Sequence, residues 1–308
     1  MANRFQIFEQ PAAKDLYLLA GWRQWADGGS VSSGLPKYLI QQSNAHKIGE
    51  FSPGGYYMFQ IPGTHDLLRP VVKFEDGFPV KLKTPRNEFF YTGNQERGAV
   101  IFLGDEPHLN MELYVETFLD AAQALGIKRI IGFGGVYGEL PYDKERMISS
   151  TYSQVHLKAE LDQLAVSYSD YHGGASIGAY ICHRAAERQQ EYISLYAFVP
   201  TYDFSQITPG STGIQIENDF TAWLGVMRRV NHLLNLEFDL SELEHKSQEL
   251  QQLMNAKIAE IERENPDLNV RDYLQQLSEN FTERTFDPAE DFWEEQIGRL
   301  FDKLDDEN

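Results

Sequence analysis

A chain of 308 residues, 42% of them hydrophobic, is long enough to bury roughly three-quarters of the surface its unfolded form exposes, which excludes a disordered protein and leaves room for one large domain with an appendage. Its formal net charge of −19 repels phosphate backbones and anionic membranes, so nucleic-acid and membrane binding are excluded and small molecules or protein surfaces remain as partners. The acid is concentrated at one end: residues 1–234 carry 25 acidic and 20 basic side chains, residues 235–308 carry 21 and 7, which divides the sequence into a 1–234 core and a 235–308 acidic helical extension.

The single cysteine, Cys182, rules out an internal disulfide and fits a reducing compartment. The start MANRFQIFEQ has no apolar run after a basic residue, and no run approaches the roughly 18 residues of a membrane span. A cytoplasmic protein is expected.

In chain order, Leu16 to Ala20 predicts a first strand, which runs through Gly21 and Trp22 into a loop, RQWADGG, ending at Gly29. A helix should follow from Ser30, capped by Asp27 or Ser30 and with Pro36 in its first turns. Residues 48–92 read as short antiparallel strands forming a flap or sheet extension, because Gly54-Gly55, Pro62-Gly63 and Asp76-Gly77 are turn signals. Ala99 to Leu103 predicts a strand, Met111 to Leu125 a helix with apolar positions that include Leu113 and Phe118, and Gly126 its end. Ile130, Ile131 and Phe133 predict a second buried strand that breaks into a glycine-rich loop through Gly134, Gly135 and Gly138. Strand, helix and strand then make a right-handed βαβ unit with parallel strands and helices on both faces.

Further on, Tyr152 to Leu164 predicts a helix, Ala165 to Tyr168 a brief strand, Gly173 to Gly178 a turn into a helix through Ala185, and Ile193 to Val199 another buried strand. Phe220, Trp223, Met227 and Val230 mark one face of a helix that closes the core. In the extension, Ser241 with Glu244 forms a capping box for a helix through Ile261. Val270 to Leu277 and Asp287 to Leu304 give two more. The apolar faces at Leu250 to Ile261 and Phe292 to Leu304, at about 1.5 to 3 kcal/mol per buried large side chain, need a cover, which the core or a neighbouring subunit of a homo-oligomer would supply.

Three patterns bear on chemistry. Gly132 to Gly138 has the spacing G-x-G-G-x-x-G, with Tyr137 where a dinucleotide fingerprint needs glycine, so no nucleotide or other cofactor is expected. Gly174-Ala175-Ser176-Ile177-Gly178 matches G-x-S-x-G, the nucleophile elbow, but no suitably placed histidine follows and a helix N-cap accounts for Ser176. Asp105-Glu106 follows a buried strand at its carboxyl end, where open α/β sheets place ligands. Asp105 could cap the next helix, and Glu106 could join Glu139, Asp143, His108 or His172, although their spacing fits no metal-ligand set. The loops carrying Trp22, Asp27, Gly28, Glu106, Gly134, Gly135, Glu139, His172, Gly174 and Ser176 all leave strands at one edge, and their convergence would form a candidate cleft.

The ordered set GWRQWADGG, YYMFQ, GDEPHLNMELY, GIKRIIGFGGVYGELPY, YHGGASIGAY and SLYAFVPTY resembles the proteasome assembly chaperone 2 family over most of residues 15–205. The resemblance implies a three-layer α/β/α fold with a phosphorylase/hydrolase-like, mostly parallel sheet and a C-terminal helical extension. It also implies self-association as a homo-oligomer, with a trimer among the forms, and no established enzymatic activity. Met58 stands where many members have aspartate, and the chain ends Asp306-Glu307-Asn308 where some members carry a hydrophobic-Tyr-X tail for the proteasome. The expected function is therefore that of a non-enzymatic assembly-chaperone-like or scaffold protein acting through protein–protein contacts as a homo-oligomer; the alternative is a small-molecule hydrolase or ligand-binding protein using a cleft at the strand carboxyl ends.

Overall fold

The structure, a computed structural model, describes residues 4–23, 25–52, 54–60, 69–203, 213–264 and 269–286. Its strands are β1 (Phe5–Ile7), β2 (Asp15–Arg23), β3 (His46–Phe51), β4 (Val71–Glu75), β5 (Phe78–Lys83), β6 (Asn87–Gly93), β7 (Arg97–Asp105), β8 (Arg129–Gly138), β9 (Ile148–Tyr152), β10 (Ser167–Tyr168), β11 (Glu191–Tyr202) and β12 (Ile214–Gln215). The helices are α1 (Gly34–Gln42), α2 (Met111–Ala124), α3 (Lys158–Leu161), α4 (Ile177–Glu187), α5 (Phe220–Leu234), α6 (Ser241–Glu264) and α7 (Val270–Glu279).

One mixed sheet organises the chain in the order β1-β3-β6-β7-β2-β8-β11-β9-β10, with β12 added to β11. Its middle strands β7, β2, β8 and β11 are parallel, as their near-continuous apolar sequences require of strands covered on both faces. Antiparallel strands flank them. Alternation along β2 sends Leu16, Leu18, Ala20 and Trp22 to a core shared with α2 and α4, while Leu19 joins a core shared with α1 and α5. The result is a three-layer α/β/α fold.

Several local expectations are corrected. The strand at Ile130 does not break at Phe133 but continues through Gly138, because its glycines are paired in the sheet with β11. The helix expected over 152–164 is reduced to a turn at Val155–Leu157 and the single turn of α3. Before it lies β9, held between β11 and β10. In α2 the buried residues include Tyr114, Val115 and Phe118, whereas Leu113 is exposed. Asp239 rather than Ser241 caps α6: its Oδ1 accepts from the Ser241 backbone N at 3.0 Å and hydroxyl at 2.7 Å. Glu244 turns to Arg228 instead, at 3.0 Å. Residues 48–92 divide, with β3 and β6 extending the sheet and β4–β5 forming a separate two-stranded hairpin.

The apolar face of α6 finds its cover within the chain. Leu243, Met254 and Ile258 of α6, Val270 and Leu274 of α7, and Phe286 are buried in the same core as Trp223 and Met227 of α5. That removes the physical motive for self-association read from Leu250 to Ile261. The helix expected over Asp287 to Leu304 lies outside the described residues.

Candidate functional site

At the carboxyl edge of the parallel strands, three separate segments meet on the Glu106 carboxylate. Oε2 accepts from the backbone N of Trp25, after β2, at 3.1 Å, and Oε1 accepts from that of Ile177, the first residue of α4, at 2.9 Å. A carboxylate at this place answers two needs of the helix end, an acceptor for an orphan N–H and a negative charge for the positive end of the dipole. Ser176 supplies the cap itself: its Oγ accepts from Ala179 N at 3.2 Å and lies 3.0 Å from the Tyr196 hydroxyl. Burial pushes the Tyr196 phenol up, and its hydrogen bond with Ser176 opposes the shift.

The glycines of β8 exist for these neighbours. A Cβ on Gly134 would come within 2.2 Å of the Tyr196 ring, and one on Gly132 within 2.0 Å of the Tyr192 hydroxyl. Tyr192, Ser194 and Tyr196 therefore lie beside a strand that is bare of side chains on that face at Gly132 and Gly134. Gly135 has a different reason: its Cβ would meet Gly28 O at 1.9 Å, because the loop after β2 runs across the end of β8, bridging Asp27 to Gly135 and taking Gly135 N onto Ala26 O at 2.9 Å.

Asp27 closes that loop. Its Oδ1 accepts from Ser32 N at 3.0 Å and Ser33 N at 2.9 Å, and Oδ2 from the Ser33 hydroxyl at 2.6 Å. Burial pushes its carboxyl up, against the downward pull of the Ser33 and Ser32 bonds. Trp22 is buried, its Nε1 donating to the Tyr114 hydroxyl at 2.9 Å and its backbone N to Ser32 Oγ at 2.8 Å.

The structure thus brings together Trp22, Glu106 and Ser176 around a cavity of about 10 Å³, lined also by Ser32, Tyr192 and Tyr196. That space is at the threshold for one water molecule. Gly134 lies beneath Tyr196, and Asp27 and Gly28 lie across the end of β8 at Gly135. The others stand apart. Glu139 is exposed and hydrogen-bonded to Tyr273 of α7, a residue packed on the α5 side of the sheet, whereas Glu106 binds α4 on the opposite side. His172 and Gly174 are exposed on the approach to α4. Asp105 does not cap α2, whose N-cap is Asn110; it pairs with Arg23 at 2.6 Å and accepts from Arg86 N at 2.7 Å.

Among the described residues no group of three or more histidine, cysteine or acidic side chains could hold a metal ion. His183 faces Glu187 at 3.5 Å and His245 faces Glu249 at 3.2 Å, each one helical turn on. Neither meets Ser176. Sequence reasoning missed Tyr192 and Tyr196, although Tyr192, Ser194 and Tyr196 alternate at every second residue along β11, as Gly132 and Gly134 do along β8, the pattern of two strands matched on one face. It also missed a polar groove of about 430 Å³ between Asn94, Arg97 and the Asn235–Asp239 turn, at the other edge of the sheet.

The architecture is that of a three-layer α/β/α protein whose strand-end loops are tied to one another. The chain belongs to the PAC2 family, whose model matches residues 22–258. Solved structures of the same fold include the Mycobacterium tuberculosis proteasome-assembly chaperone homologue Rv2125, 19% identical, with 79% of this chain and 96% of that one covered and a TM-score of 0.67. A PAC2 family protein from Streptomyces avermitilis is 21% identical, with 79% and 95% covered and a TM-score of 0.66. Pyrococcus furiosus PbaB, an archaeal proteasome activator, is 20% identical, with 82% and 97% covered and a TM-score of 0.56. None of the curated proteins matches the sequence. Among the described residues no helix is long and apolar enough to cross a membrane.

Proposed function

We propose that the protein is a chaperone-like scaffold that works through protein–protein contacts as a homo-oligomer, with the acidic segment from residue 235 as its extension and a protein client as its partner. One observation carries the reading. The strand-end loops, where a fold of this class would hold a substrate, are spent on each other: Glu106 binds two backbone N–H groups, Ser176 caps α4, and about 10 Å³ is left between them. Small-molecule sites are commonly about 300 Å³ or larger. The names carried by the solved neighbours, an assembly-chaperone homologue and a proteasome activator, agree with a role exercised on other proteins.

Sedimentation velocity of the full chain over a hundredfold concentration range, run beside a panel of activated esters, tests this. A self-associated species without ester turnover is expected. A monomer at every concentration, or turnover abolished by Ser176→Ala, overturns it.

A further inference from the structure

The hairpin β4–β5 is the part of the described chain least explained by its own fold. Every residue of both strands is exposed, and among the described residues the two strands pair with each other alone. A lone two-stranded hairpin is marginally stable in water, yet this one is patterned as if half-buried. Val72 stands opposite Leu82 and Lys73 opposite Lys81. Alternation places Phe74 with Val72 and Leu82 on one face and Val71, Lys73, Glu75, Lys81 and Lys83 on the other, and a register shift between Lys73 and Phe74, which brings Phe74 opposite Pro79, interrupts the pattern at Val80. Phe74 is 57% exposed, Leu82 63%, and Phe78 at the turn 70%.

We infer that this apolar ribbon is an interaction arm that seats on a second copy of this chain. The inference deepens the homo-oligomer reading above and rests on it. Charge favours that occupant: residues 69–86 carry five basic and two acidic side chains within a chain of net charge −19. Lys81 and Lys83 make no ion pair with another described residue, while Lys73 is held by Glu75 at 2.6 Å. An arm with free lysines beside an apolar face fits an acidic partner, and residues 235–308 of each copy carry 21 acidic against 7 basic side chains.

Area favours it as well. One face of so short a ribbon covers a few hundred Å² at most, whereas a stable interface takes about 800 Å² from each partner. In a symmetric exchange each chain contributes both an arm and a receiving surface, so the area buried per chain doubles for a single association. A lone arm on an unrelated client gains no such doubling.

The test uses the full chain. Phe74→Ser combined with Leu82→Ser removes the apolar face without touching a buried residue, so the melting temperature of the monomeric unit should be unchanged. The wild type is expected to sediment as an oligomer at micromolar concentration, and the double variant to need at least tenfold more protein to assemble. Lys81→Glu with Lys83→Glu should weaken assembly in the same direction. On the otherwise wild-type chain, Val72→Cys gives a thiol whose maleimide labelling should slow at least tenfold on assembly; the native Cys182 is buried. A double variant that assembles like the wild type, or a thiol at position 72 that labels equally fast in the oligomer, overturns the arm and leaves the homo-oligomer standing. A wild type that is monomeric throughout overturns both.

Discussion

Arg146 and Asp219 form an ion pair sealed from water, Nε to Oδ2 2.7 Å apart, with side chains 2% and 0% exposed. Each end is tied further. Arg146 donates to the carbonyls of Tyr142 at 2.9 Å and Lys144 at 2.8 Å, while Asp219 caps α5 through Ala222 N at 3.0 Å and sends its own N–H to Gly29 O at 2.9 Å. The pair thereby joins the segment between β8 and β9, the start of α5 and the turn after β2. A buried pair satisfied in this way contributes little net stability over a hydrophobic substitute, but removing one partner strands the other. Asp219→Ala should therefore cost about 3–5 kcal/mol in a urea titration followed by circular dichroism; a loss below 1 kcal/mol would show that water already reaches Arg146.

The assignment of Ser176 as a cap makes its own prediction. Ser176→Ala should cost about 1 kcal/mol, and Ser176→Thr should recover most of it, because either hydroxyl can accept from Ala179 N. Thermal melts of the two variants decide it. Equal loss in both would mean that the Tyr196 contact, rather than the cap, carries the residue.

Glycines that look alike in the sequence should behave oppositely. At Gly135 an added methyl meets backbone, Gly28 O at 1.9 Å, while at Gly174 nothing lies within 4 Å. Gly135→Ala is expected to cost more than about 3 kcal/mol and Gly174→Ala to stay within about 0.5 kcal/mol of the wild type, measured by denaturant midpoints. A tolerated Gly135→Ala would contradict the crossing of the β2 loop over β8.

Glu191 sets an acid limb. Burial pushes its carboxyl up, but hydrogen bonds and charge from His156 and Arg129 outweigh this and leave it below its ordinary value. A group lowered in the folded state adds stability above its unfolded pKa, near 4.3, and that stability disappears as pH falls through the folded value. Glu191→Gln should therefore be less stable than the wild type by about 0.5–1 kcal/mol at pH 7, and the gap should close below about pH 4. Paired melts from pH 3 to 7 check the sign; a gap that widens in acid refutes it.

The βαβ unit and the closing helices were legible because their periodicity is long and apolar. β9 was not: ISSTY carries little hydrophobic signal, and it becomes a strand only because β11 and β10 take its backbone bonds, with Ser149 and Ser150 buried among them. The end of β8 misled for the reverse reason, since Gly134 and Gly135 signal a loop locally but serve Tyr196 and Gly28 from distant segments. Of the site, the cap at Ser176 could be read from its neighbours in sequence. The partners of Glu106, 81 and 71 residues away, could not, and neither could the turning of Glu139 toward α7.

The sheet ends in strands of only three residues, Phe5–Ile7, and two, Ser167–Tyr168. Such stubs offer an incoming strand few free backbone groups, and natural proteins use short margins of this kind to block runaway fibre growth. A protein that docks on others, as proposed here, still has to avoid polymerising by accident. Here the closing of the sheet's margins leaves docking to side-chain surfaces, which can be given a partner and a limit, rather than to the indiscriminate pairing of main chain with main chain.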